Sequence, residues 1–169
     1  GLGIYFLSPQ EKDWPLEDIT RELYFTRSLD LGGQAFFRYA YLNDNHKGLF
    51  DFLKDVYYPF PALPSACNSL DSIPPERPEN LHKSREAQTY VLRWSPSVDN
   101  LCGKDVRYNV YASRTSPVDI ASARNLIAVN VDSCSLPIHE EFCTLNGISF
   151  AVTAIDRFGN ESEPARLPS

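Results

Sequence analysis

Three stretches in the second half of the chain alternate with a period of two. They are Thr89-Tyr90-Val91-Leu92-Arg93-Trp94, Val106-Arg107-Tyr108-Asn109-Val110-Tyr111 and Ile148-Ser149-Phe150-Ala151-Val152-Thr153-Ala154. Such alternation places apolar side chains on one face and marks half-buried strands of an antiparallel sheet. Residues 125–131 read as a further strand, with room for one helical turn in 116–123 before it. Arg157-Phe158-Gly159-Asn160 reads as a hairpin turn in which the glycine can take a positive φ. Short strands separated by turn signals predict a sandwich of two sheets. Trp94, Tyr108, Tyr111 and Phe150 are expected mostly on its inward face, with Tyr90 and Phe158 as the more exposed rings.

The first third follows a different grammar. Residues 4–7 form a continuous apolar run, as expected for a strand covered on both faces. Asp13-Trp14-Pro15 can open a helix in which Leu16, Ile19, Leu23 and Thr26 recur at helical spacing, with Gly32-Gly33 at its end. Residues 35–42 read as a second, aromatic-rich strand. The turn Asn43-Asp44-Asn45 then leads into a helix with Leu49, Phe52, Leu53 and Val56 on one face. Strand, helix, strand, helix is the order of βα units on a parallel sheet. Between the two regions, the six prolines from Pro59 to Pro78 make a stiff linker or an extended wrap along a surface.

Charge narrows the partners. The formal net charge is −6 and no run of basic residues occurs, so neither nucleic acid nor an anionic membrane surface is an expected partner. No stretch has the roughly 18 consecutive apolar residues of a membrane span. The opening residues read as a buried strand, so the chain is expected to begin inside a larger protein. Cys67, Cys102, Cys134 and Cys143 lack metal-site spacing, and His46, His82 and His139 stand apart; no metal and no cofactor are expected. A Cys134–Cys143 disulfide and buried free thiols are both compatible with the pattern. The acidic turn at Asp156, Asn160, Glu161 and Glu163 lacks the spacing of a calcium loop and reads as solvated.

On these residues the second half resembles a fibronectin type III domain. Pro78-Glu79-Asn80-Leu81 looks like the opening strand, Trp94 the core tryptophan, and Tyr108-Asn109-Val110-Tyr111 the third strand. Residues 145–154 and Asp156 to Glu163 look like the last strands and the turn joining them. Phe150 departs from the family, which usually has a tyrosine there, and so lacks that hydroxyl bond to backbone. The first third resembles the end of a bacterial glycosyl-hydrolase-like family, secreted lipoproteins whose (β/α)8 barrel often carries such a module. Trp14, residues 19–27, Leu31-Gly32-Gly33, Tyr57-Tyr58 and Pro61-Ala62-Leu63-Pro64 carry that resemblance. It implies that residues 4–7 and 34–42 are the last two barrel strands.

Barrel enzymes place reactive and binding groups on the loops after their strands. Glu11, Asp13 and Trp14 lie on the first such loop, and Tyr41, Asn43 and Asp44 on or beside the second. Carboxylates and rings of this kind suit a sugar subsite. Asp13 reads equally as a helix cap and Glu11 as a solvated loop residue. The catalytic residues cannot be assigned, because a glycosidase pair usually comes from different strands and most of the barrel lies elsewhere.

The expected fold is therefore α+β in several regions. Residues 1–64 form two βα units of a partial barrel, 65–77 a proline-rich linker, and 78–169 a fibronectin type III-like sandwich. The expected function is the C-terminal part of a secreted glycoside-hydrolase-like protein, inactive alone. It meets carbohydrate through its parent barrel, and residues 1–64 can self-associate through apolar faces left uncovered. The resemblance places it in the periplasm, outside the cell or on the outer surface. The competing reading is a non-enzymatic glycan-binding or adhesion module.

Overall fold

The computed structural model describes residues 2–5, 14–29, 34–37, 39–86, 89–138 and 147–167. It is mixed α and β, and it divides into two compact units, Gly1–Pro59 and Phe60–Ser169.

In the first unit, β1 (Leu2–Tyr5) and β2 (Gln34–Phe37) pair in parallel, with Leu2 opposite Gln34 and Tyr5 opposite Phe37. The helix α1 (Leu16–Ser28) lies between them in sequence, as a parallel crossover requires. Its N-cap position falls on Pro15, which makes no side-chain capping bond, and Asp13 lies outside the described residues. A proline costs nothing there, because the first amides of a helix have no partner within it. Glu17 and Asp18 in the first turn and Arg27 in the last suit the helix dipole. Ile19 and Leu23 are buried with Leu49, Leu53 and Tyr57, and Phe36, Tyr41 and Phe52 pack around them.

Two expectations for this unit need correction. The second strand ends at Phe37, and Tyr39–Asn43 is a short helix, α2, whose next residue Asp44 donates its amide to Ala40 at 2.9 Å. After a one-turn 3-10 segment (His46–Gly48), α3 (Leu49–Phe52) widens into a π-helical turn, Leu53–Tyr57. There the amide of Tyr58 reaches the carbonyl of Leu53 at 2.7 Å. The wider turn buries Tyr57, while Val56, expected on the apolar face, is exposed.

The second unit has two antiparallel sheets. One holds β3 (Glu79–Glu86), β4 (Thr89–Ser95) and β7 (Ser135–Ile138) in the order β3-β4-β7. The other holds β5 (Arg107–Ser113), β6 (Leu126–Val131), β8 (Ser149–Ile155) and β9 (Ala165–Leu167) in the order β6-β5-β8-β9. Leu92, Trp94 and Ile138 of the first sheet share one core with Tyr108, Val110, Phe150 and Val152 of the second. The Trp94 ring meets that of Tyr108 edge-on at 5.4 Å. Phe150 has no hydroxyl to offer the backbone; Tyr108 holds the chain instead, accepting the Ser97 amide at 2.8 Å.

Tyr111 does not face that core. It is buried on the other side of the larger sheet with Val118, Leu126 and Ala151, beneath Leu63 and Ile120. As a result β5 and β8 are covered on both faces although their sequences alternate. Part of the cover comes from residues 60–78. Cys67 donates its amide to Phe158 at 2.7 Å, Glu76 to Val98 at 2.9 Å, and the Asn160 side chain to the carbonyl of Asp71 at 3.1 Å. The residues read as a linker, 65–77, are thus a strap bound along the sandwich. The turn read as solvated is partly sealed by it, with Asp156 and Asn160 both buried.

Candidate functional site

In the first unit the loops after β1 and β2 lie at the C-terminal ends of two parallel strands. The first leads into α1 at Trp14, and the second runs through α2 into the 3-10 turn. Lys47 joins them, because its Nζ donates to the backbone carbonyl of Trp14 at 2.7 Å. Asn45, Lys47 and Gly48 all take positive φ, at 45°, 54° and 77°. That sharp turn is fixed by Asn45, whose amide nitrogen donates to Asp51 Oδ2 at 2.7 Å while its Oδ1 accepts the Asp51 amide at 3.2 Å. Neither Lys47 nor Asn45 is prominent in the sequence, since their roles rest on backbone geometry after a turn.

Of the candidate residues, Trp14 is about a third exposed at the mouth of α1. Tyr41 is half-buried, with its ring 5.4 Å from that of His46. Asn43 and Asp44 are exposed and bonded to each other, Asn43 Nδ2 donating to Asp44 Oδ1 at 3.1 Å. Glu11 and Asp13 lie outside the described residues. The described candidates place a ring, an amide and a carboxylate at the surface of this unit.

The opposite end of the strand pair is a brace. Gln34, the first residue of β2, donates to the Leu23 carbonyl at 3.0 Å and to Tyr57 Oη at 2.9 Å, and its Oε1 accepts from Tyr58 Oη at 2.7 Å. Arg27 caps the cluster, its guanidinium 3.6 Å from the centre of the Tyr57 ring. Burial pushes the Tyr58 hydroxyl above its ordinary pKa, the neighbouring Tyr57 adds to the rise, and Arg27 opposes it. These contacts position the helix against the strands.

In the second unit an open groove of about 730 Å³ is lined by Arg77, Glu79, Leu81, Glu163 and Arg166. It contains none of the candidate residues. Cys67, Cys102 and Cys134 are free thiols, and Cys143 lies outside the described residues. Among the described residues no helix is long and apolar enough to cross a membrane.

No protein-family model matches this chain, and no curated protein does either. Among solved structures it is similar to the spore cortex lytic enzyme SleM of Clostridium perfringens, with 18% identity and a TM-score of 0.40 over 63% of this chain and 31% of that one. It is also similar to a bacterial orthologue of human α-L-iduronidase, with 19% identity and a TM-score of 0.37 over 57% of this chain and 15% of that one. A third is the chitinase ChiA74 of Bacillus thuringiensis, with 18% identity and a TM-score of 0.35 over 94% of this chain and 23% of that one. The chain thus matches less than a third of the length of each of these structures.

Proposed function

We propose that this chain is the C-terminal part of a secreted glycoside-hydrolase-like protein. In this reading residues 1–64 supply the last two βα units of a (β/α)8 barrel. The fibronectin type III-like sandwich, with its strap, acts as an accessory spacer or binding module. The observation that carries the reading is the parallel β1–β2 pair with α1 in its crossover, whose two strand-end loops are drawn together by the Lys47–Trp14 bond. Two parallel strands and one helix leave sheet edges that a larger parallel sheet would cover. The order β3-β4-β7 against β6-β5-β8-β9 supports the sandwich assignment.

Trp14, Tyr41, Asn43 and Asp44 then form the edge of a sugar subsite, with Glu11 and Asp13 on the loop that carries Trp14. The chain alone has no hydrolytic activity, because the pair of carboxylates that flanks a scissile bond needs strands from the rest of a barrel. The test compares the chain with a longer protein that contains it, on a glycan array and in hydrolysis assays. The longer protein should bind glycan, and Trp14→Ala should weaken that binding by about three- to tenfold. Hydrolysis by the chain alone, or no glycan binding by the longer protein, overturns the reading.

A further inference from the structure

Three aspartates that are distant in sequence meet at one end of the sandwich. Asp71 comes from the strap, Asp99 from the loop between β4 and β5, and Asp156 from the turn after β8. All three are buried, at 7%, 4% and 6% exposure, and each has a carboxylate oxygen within 4.8 Å of those of the other two. Carboxylates gathered this closely and this far from water repel one another, and a cation held between them relieves that cost.

The bonds around them hold the cluster open. Asp71 Oδ1 accepts the Ile73 amide at 3.0 Å. Asp99 Oδ1 accepts the amides of Leu101 and Cys102 at 2.9 and 2.6 Å. Asp156 Oδ1 accepts those of Phe158 and Asn160 at 2.8 and 2.9 Å, and its Oδ2 takes Asn160 Nδ2 at 2.8 Å. What remains is Asp71 Oδ2 and Asp99 Oδ2, both buried and without any hydrogen-bond partner. A buried carboxylate oxygen left unsatisfied is destabilising unless something fills the place.

Nothing cationic among the described residues fills it. Arg107, at the same end, pairs with Asp132 at 3.6 Å, and the Arg157 guanidinium lies over the Phe158 ring at 4.7 Å. The donors gathered here are all carboxylate oxygens.

We propose that Asp71, Asp99 and Asp156 bind a calcium ion that clamps the strap onto the end of the sandwich. Three carboxylate oxygens that all lie within 4.8 Å of one another fit around one ion with oxygen ligands about 2.3–2.6 Å away, as calcium has. Magnesium demands a near-ideal octahedron and keeps several waters, which three carboxylates from three separate loops suit poorly. The carboxylates supply three ligands, and water or backbone carbonyls complete the shell of six to eight. A groove of about 660 Å³ opens onto Asp156. The proposal does not depend on the barrel reading.

The test is thermal unfolding of the whole chain in EDTA and in calcium at about 5 mM, with equilibrium dialysis to count ions. Calcium should raise the melting temperature by roughly 5–10 °C, with one ion bound per chain and little effect from magnesium. In the variants Asp71→Asn and Asp99→Asn the calcium response should shrink to less than about half of the parent's, whatever their melting temperature in EDTA. Equal melting of the parent in EDTA and calcium, an equal calcium response in the variants, or a full response to magnesium overturns the assignment. If a variant does not fold, the parent's calcium response and ion count decide the matter.

Discussion

The hydroxyl of Tyr111 stands 2.6 Å from Glu161 Oε1, and that one oxygen also accepts from Asn109 Nδ2 at 3.0 Å and from the hydroxyl of Thr153. A charged acceptor on the turn before β9 thus ties together β5 and β8 on the face away from the main core. Tyr111→Phe removes a bond to a charged group and should cost about 1.5–3 kcal/mol in urea unfolding at neutral pH.

The same pair gives a dependence on pH. Burial first, and then the Glu161 carboxylate, push the Tyr111 hydroxyl well above its ordinary value. Once pH passes about 10 the unfolded chain loses that proton while the folded chain keeps it, so stability falls as pH rises. Urea unfolding at about pH 8 and pH 11 should show a smaller fall in Tyr111→Phe than in the parent. The fall does not vanish, because burial also raises Tyr108 and Tyr58. Equal falls would show that Tyr111 is not the titrating group.

Gly159 lets the strap lie close. Its φ is +87°, and a β-carbon there would come within 3.1 Å of Ala66 Cα and 3.2 Å of the Ser65 carbonyl. Gly159→Ala should therefore cost about 1–3 kcal/mol and speed hydrogen exchange at the Cys67 amide. Unchanged exchange at that amide would mean that the strap does not rest on this contact.

The two tryptophans should be separable by solvent access. Trp94 is 5% exposed and Trp14 36%. In Trp14→Phe the remaining fluorescence should be blue-shifted and resist acrylamide, and in Trp94→Phe it should be readily quenched. Free quenching of Trp94 would contradict the two-layer core.

Tyr24, Phe25, Leu29, Tyr39, Phe50 and Val56 are exposed on the first unit. Apolar surface of this extent favours pairing between copies. Sedimentation should show concentration-dependent association that Phe25→Ser with Val56→Ser reduces. A monomer at all concentrations would count against association.

How much could be read from the chain depended on whether a contact left a periodic mark. The inward residues of β4, β5 and β8 did, because alternation at period two reports which face meets the other sheet. The outer cover of Tyr111 did not, since it comes from a loop and from a proline-rich strap that has no period. Tyr39 and Tyr41 favour strands, and packing of Tyr41 and Leu42 beside Leu49 and Leu53, with the helix preference of Ala40 and Leu42, overrides that. The strand β7 was missed because it is four residues long and includes Pro137. The aspartate cluster left no local pattern, since each member sits alone in its own turn.

The strap has a practical consequence for dissecting or shuffling this molecule. A cut at Pro78, just before the first sandwich strand, would strip Leu63 from above Tyr111 and take Asp71 away from Asn160. A graft that starts at Phe60 would carry its own lid with it, so the heritable module is longer than its strands suggest.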